Sequence, residues 1–214
     1  MKKFHFTATA IYTLLLSLCT LLMTGCSDDA PEQPTPFVSL EIVTIVNPEP
    51  PALMLSQRTD ASPVRTLRTD AGFSNAEAGQ RILLYYKAAV TDTVLDPVPV
   101  NIISAGAIPW GDVPALQLGE ILPKAMSGFK ILRTWRTGNY LNMQISYPTN
   151  AKNTTYTLVA DRETLGQDTV VCYLSGQDMP APGDYVDRRG YGSFDVSSIL
   201  TRPGQSIKIT DPAK

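Results

Sequence analysis

The run Ser127-Gly128-Phe129-Lys130 has the serine-to-lysine spacing of an acyl-transfer nucleophile, in which the lysine sits one helical turn beyond the serine. Gly128 and the β-like run that follows oppose the helix this needs, and partner motifs of the Ser-Asp-Asn and Lys-Thr-Gly types are absent. Asp161 and Glu163 would share a strand face and form the carboxylate pair that glycoside hydrolysis requires. At the end of a strand, two acids read more simply as a solvated turn. Asp178, Asp184 and Asp187 offer oxygen ligands for calcium but lack the spacing of an EF-hand loop. The expectation is no catalytic residue, no metal site and no cofactor.

Histidine and cysteine usage narrows the chemistry further. The chain has one histidine, His5, and three cysteines, Cys19, Cys26 and Cys172. His5 and Cys19 fall in an N-terminal leader: Met1-Lys2-Lys3 is basic, Ala8 to Met23 is apolar apart from Thr and Ser, and Thr24-Gly25 are small. Small residues directly before Cys26 resemble the bacterial lipobox, in which the thiol is diacylated and the preceding bond cut; Met23 stands where Leu is commoner. Residues 1–25 are therefore a lipoprotein signal peptide, and Cys26 carries a palmitate-type anchor to the membrane. Two or three acyl chains hold firmly where one holds weakly. Removal of the leader leaves a chain without histidine, so no Ser-His-Asp, Cys-His or imidazole-zinc arrangement can form. Cys172, within Val170-Val171-Cys172-Tyr173-Leu174, reads as a small buried hydrophobe with no cation to activate it.

Charge excludes another class. Lys2 and Lys3 leave with the signal, so the remainder holds 16 bases against 20 acids. A nucleic-acid binder needs a clustered basic surface, which an acidic balance does not favour. Three aromatics are candidates for ligand recognition: Trp110, between Pro109 and Gly111 in a loop-like setting, Trp135 and Tyr140. Tyr86 is expected in the core. Asp92-Thr93-Val94 and Asp168-Thr169-Val170 fit the Asp-Thr-aliphatic pattern resembling a Bacteroidota O-glycosylation acceptor, with Thr93 the more accessible.

The elements that would position these residues are β-strands. Residues 26–36 form the lipidated start and a Pro-rich tether, Ala30-Pro-Glu-Gln-Pro-Thr-Pro, which tends to extended polyproline conformations. Beyond it, short β-branched runs alternate with Pro, Gly, Asn and Asp, and no long segment has helical period. Runs are expected near 38–46, 52–57, 63–68, 81–90 and 98–108, then 129–135, 140–147, 156–160, 169–174 and 193–197. The run at 81–90 is apolar on both faces at its centre, as in a barrel strand beneath a second layer. A hairpin is expected around Thr137-Gly138-Asn139, with glycine supplying positive φ. Its second arm sets Leu141, Met143, Ile145 and Tyr147 against Asn142, Gln144 and Ser146, an apolar face and a face expected to meet water. Leu116 to Gly128 is the weakest stretch and the expected joint between two β domains of 85 to 95 residues.

Laid out this way, the chain resembles the NigD-like lipoproteins of Bacteroidota. The features that carry the resemblance are the lipobox with Ser27-Asp28-Asp29, which resembles the acidic export tag of surface lipoproteins; Gly79-Gln80-Arg81-Ile82-Leu83-Leu84-Tyr85-Tyr86; Gly138-Asn139-Tyr140-Leu141-Asn142; and Gly190-Tyr191-Gly192-Ser193-Phe194-Asp195-Val196-Ser197. The resemblance implies an all-β chain with an OB-like β-barrel at 37–118 and an antiparallel β-sandwich at 124–211. It implies no reaction, and the only functional residue it transfers is Cys26. The resulting expectation is a non-enzymatic binding or assembly component in the cell envelope, anchored to the outer membrane and facing the surface, with envelope proteins or glycans as partners and no nucleic acid. A fimbrial-type subunit with tandem sandwiches, exchanging a C-terminal strand at 206–210, is the alternative.

Overall fold

The computed structural model describes residues 38–88, 95–116, 128–149, 155–176 and 186–211. Cys26, the tether, Thr93, Ser127, Asp178, Asp184 and most of the expected joint lie outside them. Residues 36–214 form one compact unit. Its described residues make thirteen strands and one 3-10 turn.

The first five strands are β1 (Val38–Asn47), β2 (Ala52–Ser56), β3 (Arg65–Thr69), β4 (Arg81–Ala88) and β5 (Val98–Ala107), closed into a barrel in the order β1-β2-β3-β5-β4. The β3–β5 pair is parallel and the others are antiparallel, an OB-like arrangement that leaves no free sheet edge. Alternation decides what the barrel encloses: Val43 and Ile45 of β1, Met54, Leu67, and Ile82, Leu84 and Tyr86 of β4 form its core. Each such side chain contributes roughly 1.5–3 kcal/mol by leaving water. Tyr86 is buried as expected, and burial pushes its phenol up to about 12.

The remaining strands form two facing sheets. One runs β6 (Trp110–Asp112), β12 (Val186–Asp195), β9 (Tyr140–Thr149), β8 (Lys130–Thr137); the other runs β13 (Ser206–Thr210), β11 (Thr169–Gly176), β10 (Tyr156–Asp161), β7 (Ala115–Leu116). Between them lie Leu141, Met143, Ile145 and Tyr147 from one sheet and Leu158, Val170, Cys172 and Leu174 from the other. The central ladders are antiparallel, whereas the outer additions β6, β7 and β13 pair in parallel. The segment 110–116 runs along one sheet, crosses at the buried Val113, and joins the other. Leaving the barrel at Ala107, the chain thus enters the sandwich ahead of the Gly/Pro-rich stretch.

The β8–β9 hairpin turns on Gly138 (φ 56°), the only positive φ in its two-residue loop, which is the II′ geometry. The run Gly190-Tyr191-Gly192-Ser193-Phe194 follows from packing. A Cβ on Gly192 would stand 2.8 Å from the Phe194 ring and 3.1 Å from that of Tyr156, and one on Gly190 would stand 2.8 Å from Tyr147. Glycine lets the aromatic core reach the strand itself.

Candidate functional site

The polar face of β9 does not meet water along its length, contrary to the alternation argument. Asn142 is fully buried because the barrel covers that face of the sheet. Arg81, the first residue of β4, reaches across: Nε donates to Ser193 Oγ (2.9 Å), Nη1 to Thr44 Oγ1 (2.6 Å), and Nη2 to Asn142 Oδ1 (2.9 Å) and Thr137 Oγ1 (3.4 Å). Asn142 Nδ2 donates to Thr137 Oγ1 (2.8 Å), and Ser193 Oγ donates to Asn142 Oδ1 (2.8 Å). The guanidinium also lies over the Tyr140 ring at 4.4 Å. Every acceptor around this buried cation is neutral. Burial pulls its pKa down to about 10, although four oxygens and a ring face solvate it. A second tie is Gly138 N–H donating to Asp60 Oδ1 (2.7 Å).

Beside this joint the barrel and sheet diverge into a cleft of about 400 Å³. Its barrel wall is the outer face of β1, Val38, Leu40 and Ile42, with Leu83 of β4; its sandwich wall is Arg133, Trp135, Gln144 and Tyr191. Glu41 and Arg58 stand at the rim, paired at 2.8 Å, with Ser56 Oγ also donating to Glu41. Arg133 lies over the Trp135 ring at 5.0 Å, and Gln144 Nε2 donates to Tyr191 Oη at 2.8 Å. The walls combine apolar surface, amide and phenol hydrogen-bonding groups, and guanidinium charge. Such a surface can bind a ligand.

The three candidate aromatics separate. Trp135 lines the cleft, Tyr140 is the stacking partner of Arg81, and Trp110 lies on edge strand β6 rather than on a loop, 38% exposed at the opposite edge of the sheet from Trp135. Lys130 begins a strand, so no helix carries the Ser-x-x-Lys spacing there. Asp161 and Glu163 are not an acid–base pair: Asp161 Oδ1 accepts from Glu163 N–H (3.0 Å) and caps the 3-10 turn Arg162–Thr164. Thr169 starts β11, with its hydroxyl 3.0 Å from that of Ser206. Cys172 is buried, and burial together with Asp161 pushes its thiol up to about 12. Among the described residues no group of three His, Cys, Asp or Glu side chains could hold a metal ion.

Sequence reasoning missed the Arg81 cluster and most of the cleft. A charged residue opening an apolar strand was a visible signal, but its acceptors lie as far as 112 positions away.

No protein-family model and no curated protein sequence matches the chain. Solved structures do match in fold. A NigD-like immunity protein from Bacteroides caccae is 20% identical, with a TM-score of 0.56 over 81% of this chain and 86% of that one. A protein of unknown function from Bacteroides vulgatus has a TM-score of 0.58 at 14% identity, covering 81% and 83%. A candidate lipoprotein from Bacteroides fragilis has a TM-score of 0.55 at 13% identity, covering 81% and 87%. The chain is thus similar in fold to a NigD-like protein, as the sequence motifs implied, and none of these three is described as an enzyme.

Proposed function

We propose that this chain is a lipid-anchored, non-enzymatic binding component of the cell envelope, which presents the cleft between barrel and sandwich to a ligand or partner. The observation that carries the reading is the placement of that cleft. It is walled by both halves of the fold, and Val38 at its margin opens strand β1, two residues after the end of the tether. Val38 is twelve positions after Cys26, a reach of at most about 40 Å when extended. An acylated Cys26 therefore holds the cleft close to the membrane. The lipobox and the likeness to a candidate lipoprotein support the anchor, and Ser27-Asp28-Asp29 supports a surface-facing outer-membrane location. The buried thiol and the capping role of the Asp161 carboxylate support a role without catalysis.

Two measurements test this. Mass spectrometry of the mature N-terminal peptide should show acyl mass on Cys26, and Cys26→Ala should release the protein from membranes. Envelope extract passed over the immobilised chain from Ser27 onward should yield a bound component that Leu40→Glu no longer retains, since Leu40 is half exposed in the cleft wall and supports no core. Undiminished capture by Leu40→Glu refutes the cleft as the site.

Strand β13 gives the fimbrial alternative a concrete form. It is an edge strand held by one parallel ladder of five residues to β11, the kind of strand that could exchange between molecules. A monomer at every accessible concentration would dispose of that alternative.

A further inference from the structure

The cleft's sandwich wall continues into an ordered polar platform. Residues directly opposite in neighbouring strands project from the same face of a sheet. Across β12, β9 and β8 the registers align Ser193 with Asn142 and Trp135, then Tyr191 with Gln144 and Arg133, then Arg189 with Ser146 and Lys130. Ser193 and Asn142 point at Arg81, so all three rows belong to the face turned towards the barrel and cleft. Alternate residues Gly190 and Gly192 back the aromatic core instead.

The three rows cover about 14 Å along the strands. Their outer columns carry Lys130, Arg133 and Arg189, all exposed, and the middle column is a hydroxyl, an amide and an amide. Among the described residues no carboxylate forms an ion pair with any of these three cations. The acids on this face stand beyond the rows, Asp187 at one end of β12 and Asp195 with Asp112 of β6 at the other, and Glu41 at the cleft rim is already paired with Arg58. In a chain with 20 acids and 18 bases, these three rows carry three cations and no acid.

From this juxtaposition we infer that the platform beside the cleft binds an acidic polysaccharide. The inference rests on the cleft being the binding site and names the class of ligand it takes. The cations suit carboxylates or sulfates spaced along a chain, and Trp135 holds the Arg133 guanidinium from one ring face, leaving its N–H fork for the ligand. Ser146, Gln144 and Tyr191 offer the neutral donors and acceptors that sugar hydroxyls require. A nucleic acid would present phosphates to these cations, and the polyphosphate arm of the titration below separates that outcome.

The experiment is calorimetric titration of the chain from Ser27 onward with oligogalacturonate, a neutral gluco-oligosaccharide of equal length, polyphosphate, and phosphatidylglycerol vesicles. Oligogalacturonate should bind saturably, and the neutral oligomer, polyphosphate and vesicles should not compete at equal concentration. The triple variant Lys130→Gln, Arg133→Gln, Arg189→Gln should bind roughly ten- to thirtyfold more weakly, because each exposed ionic contact contributes about two- to threefold. Lys208→Gln on β13, an exposed cation of the opposite sheet, should bind as wild type. Trp135→Leu should weaken binding while leaving the fold intact by circular dichroism. Absence of oligogalacturonate binding, an unchanged triple variant, or equal binding of polyphosphate or vesicles overturns the inference. If envelope capture remains sensitive to Leu40→Glu in that event, only the ligand class falls; if capture is also lost from wild type, the cleft reading falls with it.

Discussion

Replacing Arg81 by methionine tests whether the barrel and sandwich are joined by this one cation. The substitution keeps an unbranched apolar stem and removes the guanidinium, so it leaves no charge stranded. Four hydrogen bonds are lost, at a net contribution of about 1 kcal/mol each. The contact with Tyr140 contributes about 1 kcal/mol more. Against this, the fall of the guanidinium from 12.5 to about 10 marks a cost of roughly 3 kcal/mol for holding the charge out of water, and the variant escapes that cost. The remainder is a loss of about 2 kcal/mol. Asn142, Ser193 and Thr137 still satisfy one another, so their desolvation adds little. Urea unfolding at neutral pH, followed by tryptophan fluorescence and by far-ultraviolet circular dichroism, is the assay. With a slope of about 2 kcal/mol per molar for a protein of this size, the midpoint should fall by about 1 M. Both tryptophans lie in the sandwich, so fluorescence reports that half alone, whereas dichroism reports both. The two probes should coincide in wild type and separate in Arg81→Met. A variant within about 0.5 kcal/mol of wild type, with coincident probes, refutes the argument that this cluster joins the halves.

Three further outcomes follow from the same geometry. Limited proteolysis within 117–127 should give two fragments on a denaturing gel but one species on gel filtration, because β6 and β7 of the first fragment remain paired with β12 and β10 of the second; separate elution would contradict these pairings. Gly192→Ala should cost about 1–3 kcal/mol by forcing a methyl against Phe194 and Tyr156, whereas Gly166→Ala, with open space at its Cβ, should be near neutral; equal melting temperatures for the two would refute the packing account. Alkaline stability should fall from about pH 9: the unfolded Cys172 thiol ionises there while the folded one, raised to about 12, keeps its proton. The unfolded state then binds fewer protons, and stability drops by about 1.4 kcal/mol per pH unit. Tyr86, raised from 10.0 to about 12, adds the same sign above pH 10. Cys172→Ala should flatten the urea midpoint between pH 9 and 10, and an unchanged slope there would show that the thiol is not the cause.

The sequence alone determined what is local and periodic. Alternation of period two placed nearly every strand, because a strand with one buried face must put apolar residues at every second position. Leu141, Met143, Ile145 and Tyr147 were read as a packed face and are one. Gly138 was read as the residue that turns the hairpin, and its φ of 56° is that turn. The absence of histidine after His5 and the apolar setting of Cys172 constrained the chemistry before any coordinates did.

What meets across the fold was set by the way the sheets pack. The same alternation that marked Asn142 as water-facing could not know that β1 and β4 would cover it, because burial on a sheet's second face depends on another part of the chain. Trp110, Trp135 and Tyr140 were equivalent as residue types, and their surroundings divided them into an edge residue, a cleft wall and a partner for Arg81. The strands β6 and β7 were too short for a periodic signal and exist through parallel pairing with β12 and β10. Arg81 gathers oxygens from β1, β8, β9 and β12, and Lys130, Arg133 and Arg189 share a face only through strand register. Hydrogen bonding and charge act over a few ångströms, whatever the separation along the chain, so these groupings form only when the sheets do.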